Sequence, residues 1–425
     1  MNWRWHLFWL KDKVTGGKVK EAYKDLENNY FKFDKKKQNE KLNYLLKYAK
    51  ENCKFYSKYQ LSIIDFPVIN KQIIKDNFDD IFVKKYNINK LHKMSTSGST
   101  GTPFTVYQNK EKRNRVLAEV LFYGKITDYY FGQKEMYCRS WTKKNKKTLL
   151  KQKLQNIIPF DITSLNDKTI SNCLNIISKE KNLTCILSYA STLDRICEYI
   201  IRSKYSYNNK SLRSIISSSE VLNEETRKKI NKLFKCKCYS RYSNQENGIL
   251  GQDNGVDKTF ILNEANYHFE FLKIDSDEEA KEGEISRIVV TDLYNYAMPM
   301  IRYDTGDLAI YRKINNKLCI TEIYGRRQDI IYDIHNNPIS PHGISVNLWG
   351  LSNIKQWQFI QKGQKKYKIM INSSNNIAEK EVIEKMKKIL GKDANITIEY
   401  VSEIPILSSG KTKNIINEIK RGVSR

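Results

Sequence analysis

From Ser95 to Thr102 every residue is either a hydroxyl bearer or a glycine, within the stretch Met94-Ser95-Thr96-Ser97-Gly98-Ser99-Thr100-Gly101-Thr102-Pro103-Phe104. No other stretch constrains the fold as much. Leu91 and Met94 stand before it and Phe104, Val106 and Tyr107 after it, which predicts strand, polar loop, strand, then a helix from about Lys110. Glycine lets a backbone approach a ligand closely, and successive N–H groups with hydroxyls supply donors to an oxyanion. The Gly-Lys-Ser/Thr of a Walker A loop is missing, which argues against ordinary P-loop chemistry. Taken alone, the stretch is equally a Ser/Gly-rich hairpin turn.

Five further segments follow in order: Ser217-Ser218-Ser219-Glu220-Val221-Leu222, Arg241-Tyr242-Ser243-Asn244-Gln245-Glu246-Asn247-Gly248, Arg302-Tyr303-Asp304-Thr305-Gly306-Asp307-Leu308, Gly325-Arg326, and Ser409-Gly410-Lys411. With the loop, they resemble the phosphate loop, adenine segment, aromatic-x-x-x-Glu-x-Gly, Tyr-x-Thr-Gly-Asp, hinge and terminal Ser-Gly-Lys motifs of the adenylate-forming superfamily. The short length and sparse spacing are similar to the phenylacetate-CoA ligase branch and its capsular-polysaccharide, CapK-like, relatives.

The resemblance implies ATP and Mg²⁺ as cofactors and a role for each matching residue. Thr96, Ser97, Gly98, Ser99, Thr100, Gly101 and Thr102 would hold the β- and γ-phosphates. Ser218, Ser219 and Glu220 would border the adenine, and Tyr242 would stack on it, with Ser243, Asn244 and Gln245 leading to Glu246. That carboxylate would bind the magnesium, which favours carboxylate with phosphate oxygens and water. Asp307, an acceptor-only side chain when ionised, would hold the ribose hydroxyls. Arg326 would reach the ribose or α-phosphate as a fork donor, and Lys411 would bring its ammonium to the α-phosphate and the attacking carboxylate. The bland alternatives are a turn for the loop, a solvated Glu246, a core Tyr242 and a capping Asp307. One departure stands out: the hinge reads Gly325-Arg326-Arg327-Gln328-Asp329 where the family has Gly-Arg-x-Asp-Asp. The nearby Asp333–Pro338 loop is also atypical, so coenzyme A as a further cofactor is left open.

With 425 residues, 40% of them hydrophobic, the chain can bury a large core. The net charge of +27 favours anionic partners. Because the lysines are spread along the whole length, the charge does not by itself mark a dedicated nucleic-acid binder. Eight cysteines without a secretory framework read as reduced thiols of a cytoplasmic protein. Cys236, Cys238, Cys319 and His268 offer zinc ligands, but Cys236-Lys237-Cys238 is not a Cys-x-x-Cys pair, so buried thiols are the preferred reading.

The first ten residues carry Trp3, Trp5, Phe8 and Trp9 beside Arg4 and His6. They are too few to span a bilayer, which needs ~20. Packing of the aromatics onto the main domain is the preferred reading, with peripheral attachment to the inner face of a membrane as the alternative. Leu42, Leu45, Leu46 and Ala49 predict a helix in the lysine-rich 18–60 region. The helix over about 110–130 is expected to bury Val116, Leu117, Val120 and Leu121, and Ser191 or Thr192 to cap one running to Ile201. Lysines over 143–151 predict a solvated loop, with a place near an acidic substrate as the alternative. Strand–helix alternation through Leu183–Leu187, Leu212–Ser217 and Glu224–Phe234 gives way to alternating runs at Tyr267–Ile274, Ile285–Thr291 and Leu308–Tyr311. The expected class is α/β: a large N-terminal adenylate-forming domain of parallel and mixed sheets with helices (1–324), plus a small α+β lid (325–425).

The first functional reading is an ATP-dependent ligase in capsular or surface polysaccharide biosynthesis. It activates a carboxylic or amino acid as an acyl-adenylate and passes it to a sugar amine, coenzyme A or a carrier-protein thiol. An aryl- or acyl-CoA ligase of phenylacetate-CoA ligase type is the runner-up. A non-catalytic polyanion-binding relative is the rival from another class. The acid pocket is expected from residues 138–142, 188–192, 217–222 and 243–249, none of which declares a substrate.

Overall fold

The computed structural model describes residues 2–95, 104–141, 147–206, 209–327, 330–339, 344, 348, 354–373, 377–404 and 414–419. Helices α1 (Trp3–Val14), α2 (Lys18–Phe31) and α3 (Lys35–Asn52) come first, then the short α4 (Lys71–Asp76) and α5 (Phe78–Ile81). Strands β1 (His92–Ser95) and β2 (Thr105–Gln108) pair antiparallel, and the Ser95 and Thr105 hydroxyls meet at 3.0 Å across the base of the hydroxyl-rich loop. Helix α6 (Lys110–Lys125) begins two residues later, as the spacing predicts.

The chain then alternates through β3 (Lys134–Arg139), α7 (Leu149–Gln155), β4 (Ile157–Asp161), α8 (Asp167–Lys179), β5 (Leu183–Ser188), α9 (Ala190–Ser203), β6 (Ser214–Ser218), α10 (Glu224–Phe234) and β7 (Lys237–Asn244). After β7 it runs through β8 (Gly248–Gln252), β9 (Phe260–Leu262), β10 (Tyr267–Leu272), β11 (Ile285–Asp292), β12 (Tyr303–Ile314) and β13 (Lys317–Arg326). Among the described residues, eleven of these strands form one sheet in the order β10-β11-β12-β13-β9-β8-β7-β6-β5-β3-β4. From β4 to β7 all pairs are parallel, and from β7 to β10 all are antiparallel. The parallel half, wrapped by helices, needs near-continuous apolar strands, which Leu183–Leu187 supplies. Its strands share one carboxyl edge, where β3, β5, β6 and β7 all end, and ligands of such sheets bind at that edge. Strand β7 belongs to both halves, so its last residues stand where the two meet.

A second sheet, β18 (Asn395–Tyr400)-β17 (Lys366–Ser373)-β16 (Ile354–Gly363)-β19 (Ile415–Asn417), packs with helix α11 (Glu379–Leu390) around Trp357, Phe359, Ile369, Val382 and Met386. The short pair β14 (Ile331–Tyr332) and β15 (Pro338–Ile339) joins this core. No described helix is long and apolar enough to cross a membrane.

Three local expectations are corrected. In α6, Leu117 and Val120 face solvent and Val116 is half-buried, while the buried side carries Lys112, Arg115 and Glu119 with Leu121 and Phe122. The apolar residues do not mark the inner face because charges on it are paired inside. Helix α9 takes Tyr189 at its cap position, and neither Ser191 nor Thr192 caps it. The carboxylate of Glu220 instead accepts from the Ser191 N–H at 2.8 Å, a carboxylate at a positive helix end. The 143–151 run splits: residues 142–146 lie outside the described residues, Lys147 is half-buried, and Leu149 starts a helix. All eight thiols are free, and among the described residues no group of three or more His, Cys, Asp or Glu side chains is placed to hold a metal.

Candidate active site

Glu246 sits in the tight turn between β7 and β8, which Asn244 closes by accepting from the Asn247 N–H at 2.8 Å. Its carboxylate is buried, 3% exposed, and does not match the solvated-loop alternative. Oε1 accepts from the Tyr303 hydroxyl at 3.2 Å and pairs with Lys71 Nζ at 2.5 Å. Its backbone carbonyl accepts from Gln108 Nε2 at 3.1 Å, which ties the turn to the strand leaving the hydroxyl-rich loop. Phe104, at that exit, stacks parallel to Tyr303 with centroids 6.5 Å apart, and the Lys71 ammonium lies 5.6 Å from the Phe104 ring centre.

Asp307 and Arg326 face each other across the β12–β13 ladder, so the backbone register itself delivers the pair. Arg326 Nε lies 3.1 Å from Asp307 Oδ1, and its Nη1 donates to the Thr305 carbonyl at 3.1 Å. Asp307 Oδ2 accepts from the Tyr242 hydroxyl at 2.9 Å. Gly306 takes a φ of +77°, a left-handed conformation that a side chain would resist, and its N–H donates to Asp304 Oδ1 at 2.8 Å. Burial pushes the Asp307 carboxyl up, against the pull of Arg326, and the negative Glu246 raises it further. Asp307 in turn holds the Arg326 guanidinium above its ordinary value. Burial first, and Glu246 next, lifts the Tyr303 phenol well above its usual range. Glu246, Asp307, Arg326, Tyr303 and Lys71 therefore form one electrostatic cluster.

The remaining sequence-predicted residues divide into three groups. Ser218 ends β6 opposite Arg241, one residue before Tyr242, so the two segments are neighbours on the sheet edge. Ser219 adopts a left-handed φ of +69°, and Glu220 turns to the start of α9. Ser243 and Asn244 pair with Ile249 and Gly248, and Gln245 is exposed. The Tyr242 ring belongs to the apolar cluster of Leu250, Phe260, Leu262 and Ile288, as the core alternative expects, while its hydroxyl joins Asp307. Thr96, Ser97, Gly98, Ser99, Thr100, Gly101, Thr102, Gln328, Asp329 and Lys411 lie outside the described residues.

Sequence reasoning missed Lys71, Gln108 and the hydroxyl of Tyr303. Asn70 caps α4 by accepting from the N–H groups of Gln72 and Ile73. The preceding Ile69 is bound to the β12 backbone on both sides, donating to the Arg302 carbonyl and accepting from the Asp304 N–H. That clamp delivers Lys71 to Glu246. A single lysine among 74 basic residues gives no signal of this, although the capping Asn70 is visible.

Residues 331–418 match the CapK C-terminal domain family. Over 414 residues the chain is 26% identical to Protein CapK of Staphylococcus aureus, covering 90% of this chain and 89% of that one. Its structure is similar to 2-hydroxyisobutyryl-CoA ligase in the post-adenylation state with an acyl-AMP bound: TM-score 0.71, 14% identity, 89% of this chain and 88% of that one. It is also similar to the amide bond synthetase McbA of Marinactinospora thermotolerans: TM-score 0.54, 14% identity, 74% and 66% of the two chains. The fold is that of the adenylate-forming ligases.

Proposed function

We propose, from the premise that this chain has the adenylate-forming fold and carries a CapK C-terminal domain, that it is an ATP-dependent ligase joining a carboxylic or amino acid to an amine or thiol. The observation that carries the reading is that Glu246, tied by its carbonyl to the strand leaving the hydroxyl-rich loop, shares one electrostatic cluster with the Asp307–Arg326 pair. The loop hydroxyls and N–H groups of 96–102 hold the polyphosphate, and Asp307 accepts from the ribose hydroxyls. Tyr242 and the Ser218–Glu220 edge flank the base.

Glu246 has the chemistry to hold magnesium beside phosphate oxygens, and the ion would neutralise charge on the polyphosphate. Lys71 occupies that carboxylate here, and at 34% exposed it can swing to a phosphate oxygen when Glu246 changes partner. In the reaction a carboxylate oxygen of the acid attacks the α-phosphorus and pyrophosphate leaves. Arg326 and Lys411 offset the charge that grows on the α-phosphate. The acceptor nucleophile then attacks the acyl carbon of the acyl-AMP, takes the acyl group, and AMP leaves. We assign residues 1–324 to the adenylating domain and 325–425 to a lid that carries Lys411.

Resemblance to CapK supports a place in surface-polysaccharide biosynthesis, and likeness to McbA supports an amine acceptor. The likeness to 2-hydroxyisobutyryl-CoA ligase favours coenzyme A as the second reading. The test is a panel of acids incubated with ATP, the acyl-AMP trapped as a hydroxamate, followed by addition of amino sugars, coenzyme A or a carrier protein. Hydroxamate from one acid class is expected. Polyanion binding with no hydroxamate from any acid would transfer the chain to the non-catalytic reading.

A further inference from the structure

Helix α1 has two apolar faces. Trp5, Phe8 and Trp9 point inward, where Phe8 meets Phe131 at 5.3 Å, Trp5 meets Tyr130 at 5.5 Å and Trp9 meets Tyr23 at 5.4 Å. That is the packing the aromatic-rich sequence predicts. The helix is fixed at its far end by Asp12, whose buried carboxylate accepts from the Val19 and Lys20 N–H groups at 3.1 and 2.9 Å and so caps α2. The opposite stripe is Trp3, Leu7, Leu10 and Val14, spaced four, three and four apart, each more than half exposed and Val14 80%.

The start of α1 abuts the end of α7: Arg4 Nη2 donates to the Lys153 carbonyl, and Asn156 Nδ2 to the Gly132 carbonyl beside Arg4. Helix α7 presents Leu149, Leu150 and Leu154, also more than half exposed. Seven large apolar side chains on two adjoining helices exceed the scattered exposure expected of a surface with nothing to bind.

Charge decides what covers them. Arg4, Lys11, Lys13, Lys151 and Lys153 lie on these helices, and their one acid, Asp12, is sealed in the α2 cap. A second copy of the same face would set lysines against lysines, which is repulsive. An anionic surface offers the apolar stripe a non-polar phase and the lysines opposite charge. Trp3, an amphipathic ring with the Arg4 guanidinium 4.5 Å from its centre, suits a lipid–water boundary. We propose that α1 and α7 dock the protein onto the headgroup layer of an anionic lipid bilayer. The helices lie on that layer without crossing it. This inference does not depend on the ligase reading.

The test is co-sedimentation of the full chain with phosphatidylglycerol/phosphatidylcholine vesicles and with pure phosphatidylcholine vesicles, over a salt series. Binding to the anionic vesicles alone, weakening with salt, is expected. Removing each of Lys11, Lys13, Lys151 and Lys153 as Lys→Gln should weaken it about five-fold. Leu7→Glu with Leu10→Glu should abolish it while thermal unfolding stays unchanged, since both side chains face solvent. Lys380→Gln with Lys388→Gln, on α11, should leave binding unaltered. Absence of vesicle binding would overturn the proposal, as would an equal loss from the α11 control, which would mean diffuse charge alone. So would vesicle-free self-association that Leu7→Glu with Leu10→Glu removes, which would make a second copy the occupant.

Discussion

Two clusters of buried charge lie on either side of the Glu246 turn, and they are built differently. Behind it, Lys112 and Asp292, both 0% exposed, pair at 2.7 Å. The Tyr267 hydroxyl accepts from Lys112 at 2.8 Å and lies 2.8 Å from Glu119 Oε1, which also accepts from Asn266 at 2.6 Å. Oε2 of Glu119 accepts from the Ile249 N–H at 2.9 Å. Every charge there is sealed and its cation cannot leave. On the front, the carboxylates of Glu246 and Asp307 are sealed, but their cations Lys71 and Arg326 are 34% and 46% exposed. A sealed network gives rigidity; a sealed carboxylate with an accessible cation can exchange partners when a ligand arrives. Gly248 joins the two: a Cβ there would fall 2.4 Å from Glu119 Oε2, at a φ of +129°. The glycine of the aromatic-x-x-x-Glu-x-Gly segment thus lets the rigid cluster press directly on the turn that holds Glu246.

That contrast can be broken most sharply with the two lysines. Lys112→Met strands Asp292 and Glu119 and is expected to cost about 3–5 kcal/mol of stability. Lys71→Met, where water can reach the vacated site, should cost less, about 1–2 kcal/mol. Urea midpoints of the two variants measure both, and equal losses would erase the distinction. Next, Glu246→Gln should lower acid-dependent turnover about a hundred- to a thousand-fold, with the unfolding midpoint little changed.

The antiparallel half that carries the sealed network should also respond to acid. His268, next to Tyr267, is held down to about 4 from 6.5, by burial first and then by Arg302 and Lys35. The folded form binds fewer protons than the unfolded chain between those values. Stability is therefore full above pH ~6.5 and falls as pH drops towards 4, by up to about 3 kcal/mol. His268→Gln should flatten that limb in melting curves taken across the window. The smallest effect is expected from Tyr242→Phe, which removes one hydrogen bond to Asp307. It should raise the KM for ATP a few-fold, equivalent to about 1 kcal/mol, and leave turnover nearly constant.

How much the sequence disclosed follows the same division. The strands flanking the hydroxyl stretch and the parallel strands at 183–188 and 214–218 follow from periodicity and short turns, because backbone and solvent decide them locally. The Asp307–Arg326 pair was legible only as two separate motifs, and a strand register unites them. Helix α6 was misread because its inner face carries Lys112, Arg115 and Glu119, whose burial depends on partners about 90 to 180 residues away in the chain. Lys71 was unreadable for the same reason. Periodicity reports contrast with water, and paired interior charges show none.

The measurement that bears most directly on the account is ATP–pyrophosphate exchange across a panel of carboxylic and amino acids, with wild-type protein and Glu246→Gln side by side. Exchange is expected to require one class of acid and nearly to disappear in the variant. Folded wild-type protein that exchanges with no acid, or exchange indifferent to Glu246→Gln, would contradict this.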